Sequence, residues 1–590
     1  MKNHEEKIHL YREDKMNGNQ NFDFNDMKDV FRKMKEERKK GARSNVTKGN
    51  FKNRSKDFRD KLREKDRNRK GLNPAIILLI TLFIMFVNFF FTLPALNFMA
   101  PEFYAFLISG IVIFNILNIL FGSASLSRTV IPSVLAVGLL IAVPAVLTFF
   151  SSPFFRAGAY SKLITVENAQ FVETVKKITP DKIPVVDRDA AQMIGDKEMG
   201  FIPELVSQFD LDDNYTQLNV AGNPVRVSPL EYSDIFKYFA NQKNGLGYYV
   251  SVNMANQEAE LIKLENPLKY SRTDILMRNI SRKLRFQFPT AMMGETNFEI
   301  DDSGKAYYTT PVLTKRIGFM NGMDVKGVIV TDGATGQSQL YGTSEIPEWV
   351  DRVYPSDLII NQLNMKGLYG GGFINSLFGQ RNVTKTTEGY NYVPMDNDVY
   401  LYTGVTSVMK DSSNIGFYFV NLRTKESKFF SVPSADEISA MRSAEGAVKE
   451  KGYTATFPVL LNVQDKPVYL LSLKDNTMTA KMFALVDAAQ FTNVSTGTTV
   501  NEALNKFSLM VTPTDNPLEN AVEKTFTIAE IREAVIDGNT VLFIRPTEGD
   551  VIYIGTSKQL GYKGAFLKEG DTLKVFGNDR GEQFDILEIR

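Results

Sequence analysis

Ser407-Val-Met-Lys410 carries the Ser-x-x-Lys spacing in which a lysine one helical turn away activates a serine nucleophile. That chemistry needs a helix start. Here the motif ends a β-rich run, Val399–Val408, and precedes the turn-forming Asp411-Ser-Ser-Asn414, with no Lys-Thr-Gly or Ser-Asp-Asn partner. The spacing is therefore read as coincidence. Asp210-Leu-Asp212-Asp213-Asn214 opens like a calcium loop, but Tyr215 stands where glycine is required and Ala221 where the bidentate glutamate belongs. Asp396-Asn-Asp398 reads as a turn before a strand, and weak calcium binding is the alternative for both acidic clusters. Lys366-Gly-Leu-Tyr-Gly370-Gly371-Gly372 has the glycine content of a phosphate cradle without its Gly-Lys-Ser/Thr ending, so a hinge or close-packed loop is expected.

The residue inventory excludes more. The chain has no cysteine, which removes disulfides, thiolate nucleophiles, Fe–S clusters and zinc ribbons. Its histidines are His4 and His9, so residues 10–590 offer no imidazole for a Ser-His-Asp triad, a zinc site or a haem ligand. No catalytic residue, cofactor or metal centre is expected. The single tryptophan, in Pro347-Glu-Trp349-Val-Asp-Arg352, is placed on a short helix with Tyr354 nearby. Core packing is the default for this pair, and anchoring a docked partner is the functional alternative.

Charge divides the chain in three. Residues 1–70 hold 23 Lys/Arg against 13 Asp/Glu, residues 71–150 hold only Arg128 and Glu102, and residues 151–590 hold 45 basic against 54 acidic side chains. Within the uncharged middle, Ala75–Leu93, Phe103–Phe121 and Val130–Phe150 are each long enough to cross a bilayer. A signal peptide is a poor reading of the first, since a long polar tail precedes it and two further spans follow. The basic run Lys61, Arg63, Lys65, Arg67, Arg69 and Lys70 abuts the first span and should stay in the cytoplasm, which puts the carboxyl-terminal body outside. Glu102 in the first connection and Arg128 in the second agree with that orientation. The spans carry no ionisable residue at depth, which argues against a pump or ion-coupled carrier. Asn115 and Asn118 share one face of the second span and are expected to bond to a neighbouring helix. Pro132 and Pro144 are possible kinks in the third.

Residues 1–72 are poor in aliphatics and rich in Lys, Arg, Asn and Asp, a composition that predicts disorder. Asp26–Lys40 has weak helical periodicity through Met27, Val30, Phe31 and Met34. The tail is read as a topology signal, with attraction to membrane lipids or binding of nucleic acid as functional alternatives.

Beyond the spans, Ser151–Asp187 reads as a short helical linker broken at Pro180 and Pro184. The body then alternates helices with strand runs, as α+β domains do. The phrase Gly327-Val-Ile-Val-Thr-Asp332-Gly-Ala-Thr335-Gly-Gln-Ser338 aligns without gaps on Gly416-Phe-Tyr-Phe-Val-Asn421-Leu-Arg-Thr424-Lys-Glu-Ser427. Met482-Phe-Ala-Leu-Val-Asp487 repeats its first half, and Gly247-Tyr-Tyr-Val-Ser-Val-Asn253 does so with one residue more. Each is a strand, an Asp- or Asn-led turn and a second strand, a pattern that suggests duplicated modules. In the clearest unit, Ser434-Ala-Asp-Glu437 reads as a capping box for a helix that turns Ile438, Met441 and Val448 inward and ends at Gly452.

That helix, then Pro467-Val-Tyr-Leu-Leu-Ser-Leu473 and Phe483-Ala-Leu-Val-Asp487, resembles a PepSY-type module. A second candidate combines an expected helix at Asp274–Leu284, Gly304-Lys-Ala-Tyr-Tyr308 and Val328–Gly336. The resemblance covers about a quarter of the chain, and the final turn glycine, Gly336, is missing from the other copies. It implies small exported units that bind or inhibit and do not catalyse. In the last stretch, Thr525–Val535 is expected to be a short helix or strand-helix. Thr540–Arg545, Val551–Gly555, Lys568–Phe576 and Phe584–Ile589 are read as strands of a small β barrel, of OB type.

The fold class expected is a membrane-anchored α+β protein: three transmembrane helices, repeated helix plus antiparallel-hairpin modules, and a small C-terminal β barrel. Its divisions are a basic cytoplasmic tail (1–72), the transmembrane helices (73–150), a linker (151–190), a first module pair (191–345), a helical, Gly-rich connector (346–395), a second module pair (396–515) and the barrel (520–590). The expected role is a non-catalytic extracytoplasmic binding or scaffold protein of the cell envelope, a multi-pass membrane protein that regulates a peptidase or wall enzyme. Its partners would be membrane lipids and an envelope protein or further copies of itself. The alternatives are a carboxylate-based envelope enzyme and a membrane anchor for nucleic-acid transfer through the tail.

Overall fold

The computed structural model describes residues 71–590 apart from 123–125, 177–178, 396, 409, 512–521, 537–538, 580–582 and 590. The basic tail with Lys61, Arg63, Lys65, Arg67, Arg69 and Lys70, and the periodic stretch Asp26–Lys40, lie outside the described residues. Three apolar helices come first: α1 (Pro74–Thr92), α2 (Pro101–Phe121) and α3 (Leu126–Phe150). All three are long and apolar enough to cross a membrane, with mean hydropathies of 2.6, 2.2 and 2.6. Pro74 and Pro101 stand first in their helices, where a missing N–H costs nothing. α3 continues through Pro132 and Pro144.

Residues 71–87 and 107–139 form one compact unit, and residues 88–106 and 140–590 a second. In the first, Asn118 Nδ2 donates to Thr129 Oγ1 of α3 at 2.9 Å. Asn115 instead bonds back to Ile111 O of its own helix at 2.7 Å. Only one of the two asparagines therefore bridges helices. Gly122, where the chain leaves α2, has no room for a side chain: an added Cβ would fall 2.1 Å from Asn118 Oδ1.

The described residues of the second unit contain four sheets built on one antiparallel strand order. In each, two short strands lie end to end along one edge of a long strand; a second long strand pairs with its other edge, and a further strand follows by hairpin. The first sheet sets Phe209–Leu211 and Thr216–Val220 against Asn223–Tyr232, then adds Leu246–Asn253 and Ala259–Leu268. The second sets Met292–Met293 and Asn297–Ile300 against Ala306–Ile317, then adds Asn321–Asp332 and Ser338–Gly342. The third sets Thr384–Thr386 and Asn391–Met395 against Asp398–Ser407, then adds Lys410–Asn421 and Ser427–Phe430. The fourth sets Thr454–Ala455 and Val459–Val463 against Lys466–Lys474, then adds Ala480–Asp487 and Val494–Gly497. A helix precedes each: Arg188–Gly200, Ile280–Gln287, Ser356–Tyr369 and Glu437–Ala447. The segment 346–395 is thus no connector; it supplies the helix and the first two strands of the third sheet.

The last turn of each sheet is closed in the same way. Asn253 Oδ1 accepts from the backbone N–H of Ala255 and Asn256, and Asp332 Oδ1 from those of Ala334 and Thr335. Asn421 Oδ1 accepts from Arg423 and Thr424, and Asp487 Oδ1 from Ala489 and Gln490. A short acceptor side chain that reaches two and three residues ahead replaces backbone partners the turn lacks. Gln257 and Lys425 take the same left-handed backbone as Gly336, with φ of 64°, 68° and 71°. In these two turns the missing glycine therefore changes nothing, whereas the turn after Asp487 runs one residue longer, with Asp487 N bonded to Asn493 O.

Several local expectations give way to long-range pairing. The helix of the fourth unit is capped by Asp436, whose side chain accepts from Ser439 N, because Ser434-Ala435 is taken up as a strand beside Ser413-Asn414. Its fully buried positions are Glu437, Ala440 and Ala444, with Val448 just beyond. Ile438 and Met441 are only half-buried. The helix expected from Asp274 begins at Ile280, capped by Asn279. Thr525–Val535 lies within one long strand, Val522–Ile536. Its helix-favouring Ala-Glu-Ile-Arg-Glu is overruled by pairing on both sides, with a bulge between Ile528 and Glu530 where the strand changes partner. Val522–Ile536, Asn539–Pro546, Ile552–Thr556, Gln583–Ile589 and Thr572–Asp579 close in that order into a five-stranded barrel around Ile528, Ile544, Val575, Phe584 and Ile586.

Ser151–Asp187 is not a helical linker. After the helix Pro153–Tyr160, Glu167–Ala169 adds to the third sheet in parallel with Lys428–Phe430. Phe171, Val175, Ile183, Val185 and Val186 are then buried among the sheets. Asn462 Nδ2 reaches Val175 O at 2.7 Å, Ser472 Oγ reaches Val185 O at 2.7 Å and Arg226 Nε reaches Val186 O at 3.3 Å. Pro180 opens a one-turn 3-10 helix, Pro180–Lys182, and Ile183 before Pro184 is extended, which leaves the carbonyls of Val185 and Val186 free for donors from the sheets.

The second sheet and its helix also hold the ends of two apolar helices. Arg282 Nε donates to Phe90 O at 3.0 Å, with its guanidinium 4.3 Å over the Phe90 ring. Arg285, buried, donates to Leu93 O at 2.9 Å and Ala291 O at 2.5 Å. Phe90 O belongs to the last turn of α1 and Leu93 O follows it directly, where carbonyls have no intrahelical donors, while the bond to Ala291 O fixes Arg285 within its own segment. At α3, Asn321 Nδ2 takes Thr148 O at 3.0 Å, and Phe319 N bonds Ser151 Oγ at 3.3 Å. Gly318 is required there: its φ is +58°, and an added Cβ would fall 1.8 Å from Ser151 Oγ.

Arg285→Ala should strand these carbonyls and lower stability by about 2–4 kcal/mol, with Arg285→Lys restoring only part, because an ammonium cannot reproduce the guanidinium fork. Thermal unfolding in detergent, with limited proteolysis across residues 93–100, would measure it.

Candidate partner-binding site

Residues 343–355 join the second sheet to the helix Ser356–Tyr369 and carry both expected anchors. Trp349 sits on a turn closed by Val350 N to Pro347 O at 3.1 Å, not on a short helix. The helix cannot continue because buried acceptors claim the next amides: Asp351 N donates to Glu299 Oε2 at 2.8 Å, and Val353 N and Tyr354 N donate to Leu422 O. Trp349 is half-buried, its ring tilted 31° on Tyr307 with centroids 4.7 Å apart. Lys305 stands over the other ring of the pair, 5.1 Å from the Tyr307 centroid, and is itself tied to Asp332 at 2.6 Å. Tyr354 is buried in the core, and burial, then the Asp324 carboxylate, push its hydroxyl up to about 12. Of the two, Trp349 alone keeps part of its side chain exposed.

A buried polar network fixes this loop from below. Glu299 accepts from Thr309 Oγ1 as well as from Asp351 N, and Asp351 Oδ2 accepts from Asn219 N at 2.7 Å, which ties the loop to the first sheet. Burial raises the pKa of both carboxyls, and Glu299 raises Asp351 further. Arg352 Nη2 donates to the Tyr392 hydroxyl at 3.0 Å, and Ser356 Oγ lies 2.7 Å from the same atom. Burial alone would raise the Tyr392 hydroxyl, but Arg352 and Ser356 outweigh it and hold it below the usual phenol range. A small cleft of about 120 Å³ opens beside these groups, lined also by Glu295, Asn297, Asp357 and Tyr390. With two partners already on its hydroxyl, Tyr392 locks the loop and is not presented as an acid or base.

The other motifs resolve into structure. Ser407 and Lys410 face each other across a hairpin and are not on successive turns of a helix. Asp398 is bound bidentately by Arg423, at 2.6 and 2.8 Å, while Asp396 lies outside the described residues. Asp212 accepts from Asn214 N at 2.8 Å and lies 3.6 Å from Arg272. Among the described residues, no group of three Asp, Glu, His or Cys side chains is placed to hold a metal ion.

Two buried carboxyls escaped the sequence reading. Glu231, next to last in the first long strand, meets Asp212 from a loop ahead of that strand, and Asp274 stands by itself ahead of the helix Ile280–Gln287. Burial first, then the Asp212 charge, hold Glu231 well above the ordinary carboxylate range, and the two carboxyls share a hydrogen bond. Burial raises Asp274 from 3.8 to about 7. Asp212 and Glu231, bonded to each other, leave no space for the water or sugar carbon that glycoside chemistry places between its two carboxyls.

Both shifts have the same linkage sign. A carboxyl with a raised folded pKa contributes stability that is complete below its unfolded value and lost as pH rises through its folded one. Stability should therefore decline between about pH 4 and pH 7 through Asp274. Asp274→Asn should flatten that decline, read as a smaller difference in Tm between pH 5 and pH 8 than the unsubstituted chain shows.

No protein family and no curated protein matches the chain. Among solved structures, two crystal structures of mutant levansucrases from B. megaterium align at 9% and 10% identity over 72% of this chain and 96% of theirs. Their TM-scores are 0.15, at which no shared fold is indicated.

Proposed function

We propose that this chain is a non-catalytic, membrane-anchored binding or scaffold protein of the cell envelope, which presents its body outside and regulates a peptidase or wall enzyme there. The observation that carries the reading is mechanical. One unit, residues 280–342, holds the carbonyl ends of both α1 and α3, so a load on the body passes directly into the helices that would span the membrane. The shared strand order and turn chemistry of the four sheets support an origin by duplication of PepSY-type helix-and-hairpin modules. The barrel's strand order, with the helix Ser557–Gly564 between its third and fourth strands, supports the OB type.

In this reading the tail stays in the cytoplasm, α1–α3 cross the bilayer and Trp349 faces an envelope partner. Protease added to intact spheroplasts should remove residues 151–590 and spare an epitope on the tail; protection of the body would reverse the topology. A photo-crosslinker in place of Trp349 should attach a peptidase or wall enzyme in the native membrane. Attachment only to further copies of the chain would make it a scaffold, and no attachment would discard Trp349 as the anchor.

A further inference from the structure

The feature left without a role lies where α3 ends. Phe150 meets Phe155 with centroids 5.2 Å apart, Phe154 meets Phe373 at 5.3 Å, and Phe373 stacks on Tyr369 at 6.4 Å. This run of rings continues to Ile374 and Phe378, which are 64% and 81% exposed, on the one-turn π-helix Asn375–Gly379 and the residue before it. Exposed phenylalanines beside the end of a membrane-length helix are suited to burial at the boundary between headgroups and acyl chains.

Beside these rings opens a cleft of about 730 Å³ lined by Lys162, Lys366 and Arg381 together with Asn375, Asn382 and Thr384, and no carboxylate lines it. Lys162 and Arg381 are exposed and Lys366 is half-buried. Asn375 fixes the Arg381 backbone from both sides, with Nδ2 to Arg381 O at 2.9 Å and Oδ1 accepting from Arg381 N at 3.2 Å. The glycine run forms the cleft's wall. An added Cβ at Gly367 would fall 2.3 Å from Thr384 O, and one at Gly371 would fall 2.5 Å from Asn375 Nδ2. Close packing of helix and loop therefore explains the glycines, and it brings three cations to one opening. Uncompensated like charges repel unless an anion joins them.

We propose that this cleft binds the headgroup of one anionic phospholipid from the leaflet at which α3 ends, with Phe154, Phe155, Ile374 and Phe378 seated at the acyl boundary. The proposal rests on the reading of α1–α3 as membrane spans. Charge and apolar surface are complementary to a single kind of occupant: the cations meet a phosphate, and the adjoining rings meet the chains attached to it. This site belongs to the body and is separate from the basic tail.

The test uses the full chain in lipid nanodiscs containing phosphatidylcholine with or without phosphatidylglycerol. Native mass spectrometry should retain one phosphatidylglycerol per chain, and the triple substitution Lys162→Gln, Lys366→Gln, Arg381→Gln should weaken that retention by at least about tenfold. Because the chain lacks cysteine, Phe378→Cys carries a single environment-sensitive fluorophore, whose emission should shift to the blue and be quenched by spin-labelled lipid. Equal retention of both lipids, an aqueous emission from position 378, or full competition by soluble glycerophosphate would each overturn the lipid site. Failure of the chain to enter nanodiscs at all would instead overturn the membrane reading on which the site rests.

Discussion

The last turn of a helix leaves its carbonyls without intrahelical donors, and something outside the helix must supply them. In this protein the donors come from one unit of the folded body. Arg282 and Arg285 serve α1, and Asn321 with the Phe319 amide serves the turn that ends α3. A guanidinium suits the first task because it satisfies several carbonyls while its flat face rests on Phe90. The second sheet cannot move relative to these ends without exposing them. Its neighbours are bound to it through Glu299, Asp351 and Asn219, so the constraint extends to the first sheet and to the loop bearing Trp349.

The apolar helices were legible from composition alone, since nothing but α1, α2 and α3 offers a membrane-length uncharged run. The hairpins were legible from short phrases. Asp332 and Asn421 announced turns whose geometry does not depend on the glycine found in only one of them. The common architecture of the four sheets was not. Its first two strands are two to five residues long, and a dipeptide such as Met292–Met293 or Thr454–Ala455 carries no periodicity to read. The same shortness disguised residues 346–395 as a connector.

Local signals failed where distant partners outbid them. Ser434 has the chemistry of a cap but is drawn into a strand, and Asp436 takes over. Trp349 lies in a stretch with ordinary helical content, yet the carboxylate of Glu299 claims the amide that a helix would have used. The site residues divide along the same line. Trp349 stands out in the sequence as the sole tryptophan, whereas Glu231 and Asp274 drew no notice because they are unremarkable until burial shifts them. The lysines and arginine at the end of α3 are scattered over more than two hundred residues and meet only in three dimensions.

The extended segment that follows α3 carries a consequence for assembly. It is made early, yet Val175 must await Asn462, a partner 287 residues later in the chain. At synthesis rates of roughly 5–20 residues per second, that wait lasts on the order of 15 to 60 s. During it, the apolar side chains of Phe171, Ile183 and Val185 have no core to enter, and a strand edge stands open to the wrong neighbour. A chain built this way is exposed to aggregation in proportion to its translation time, and it gives holdase chaperones a defined segment to shield.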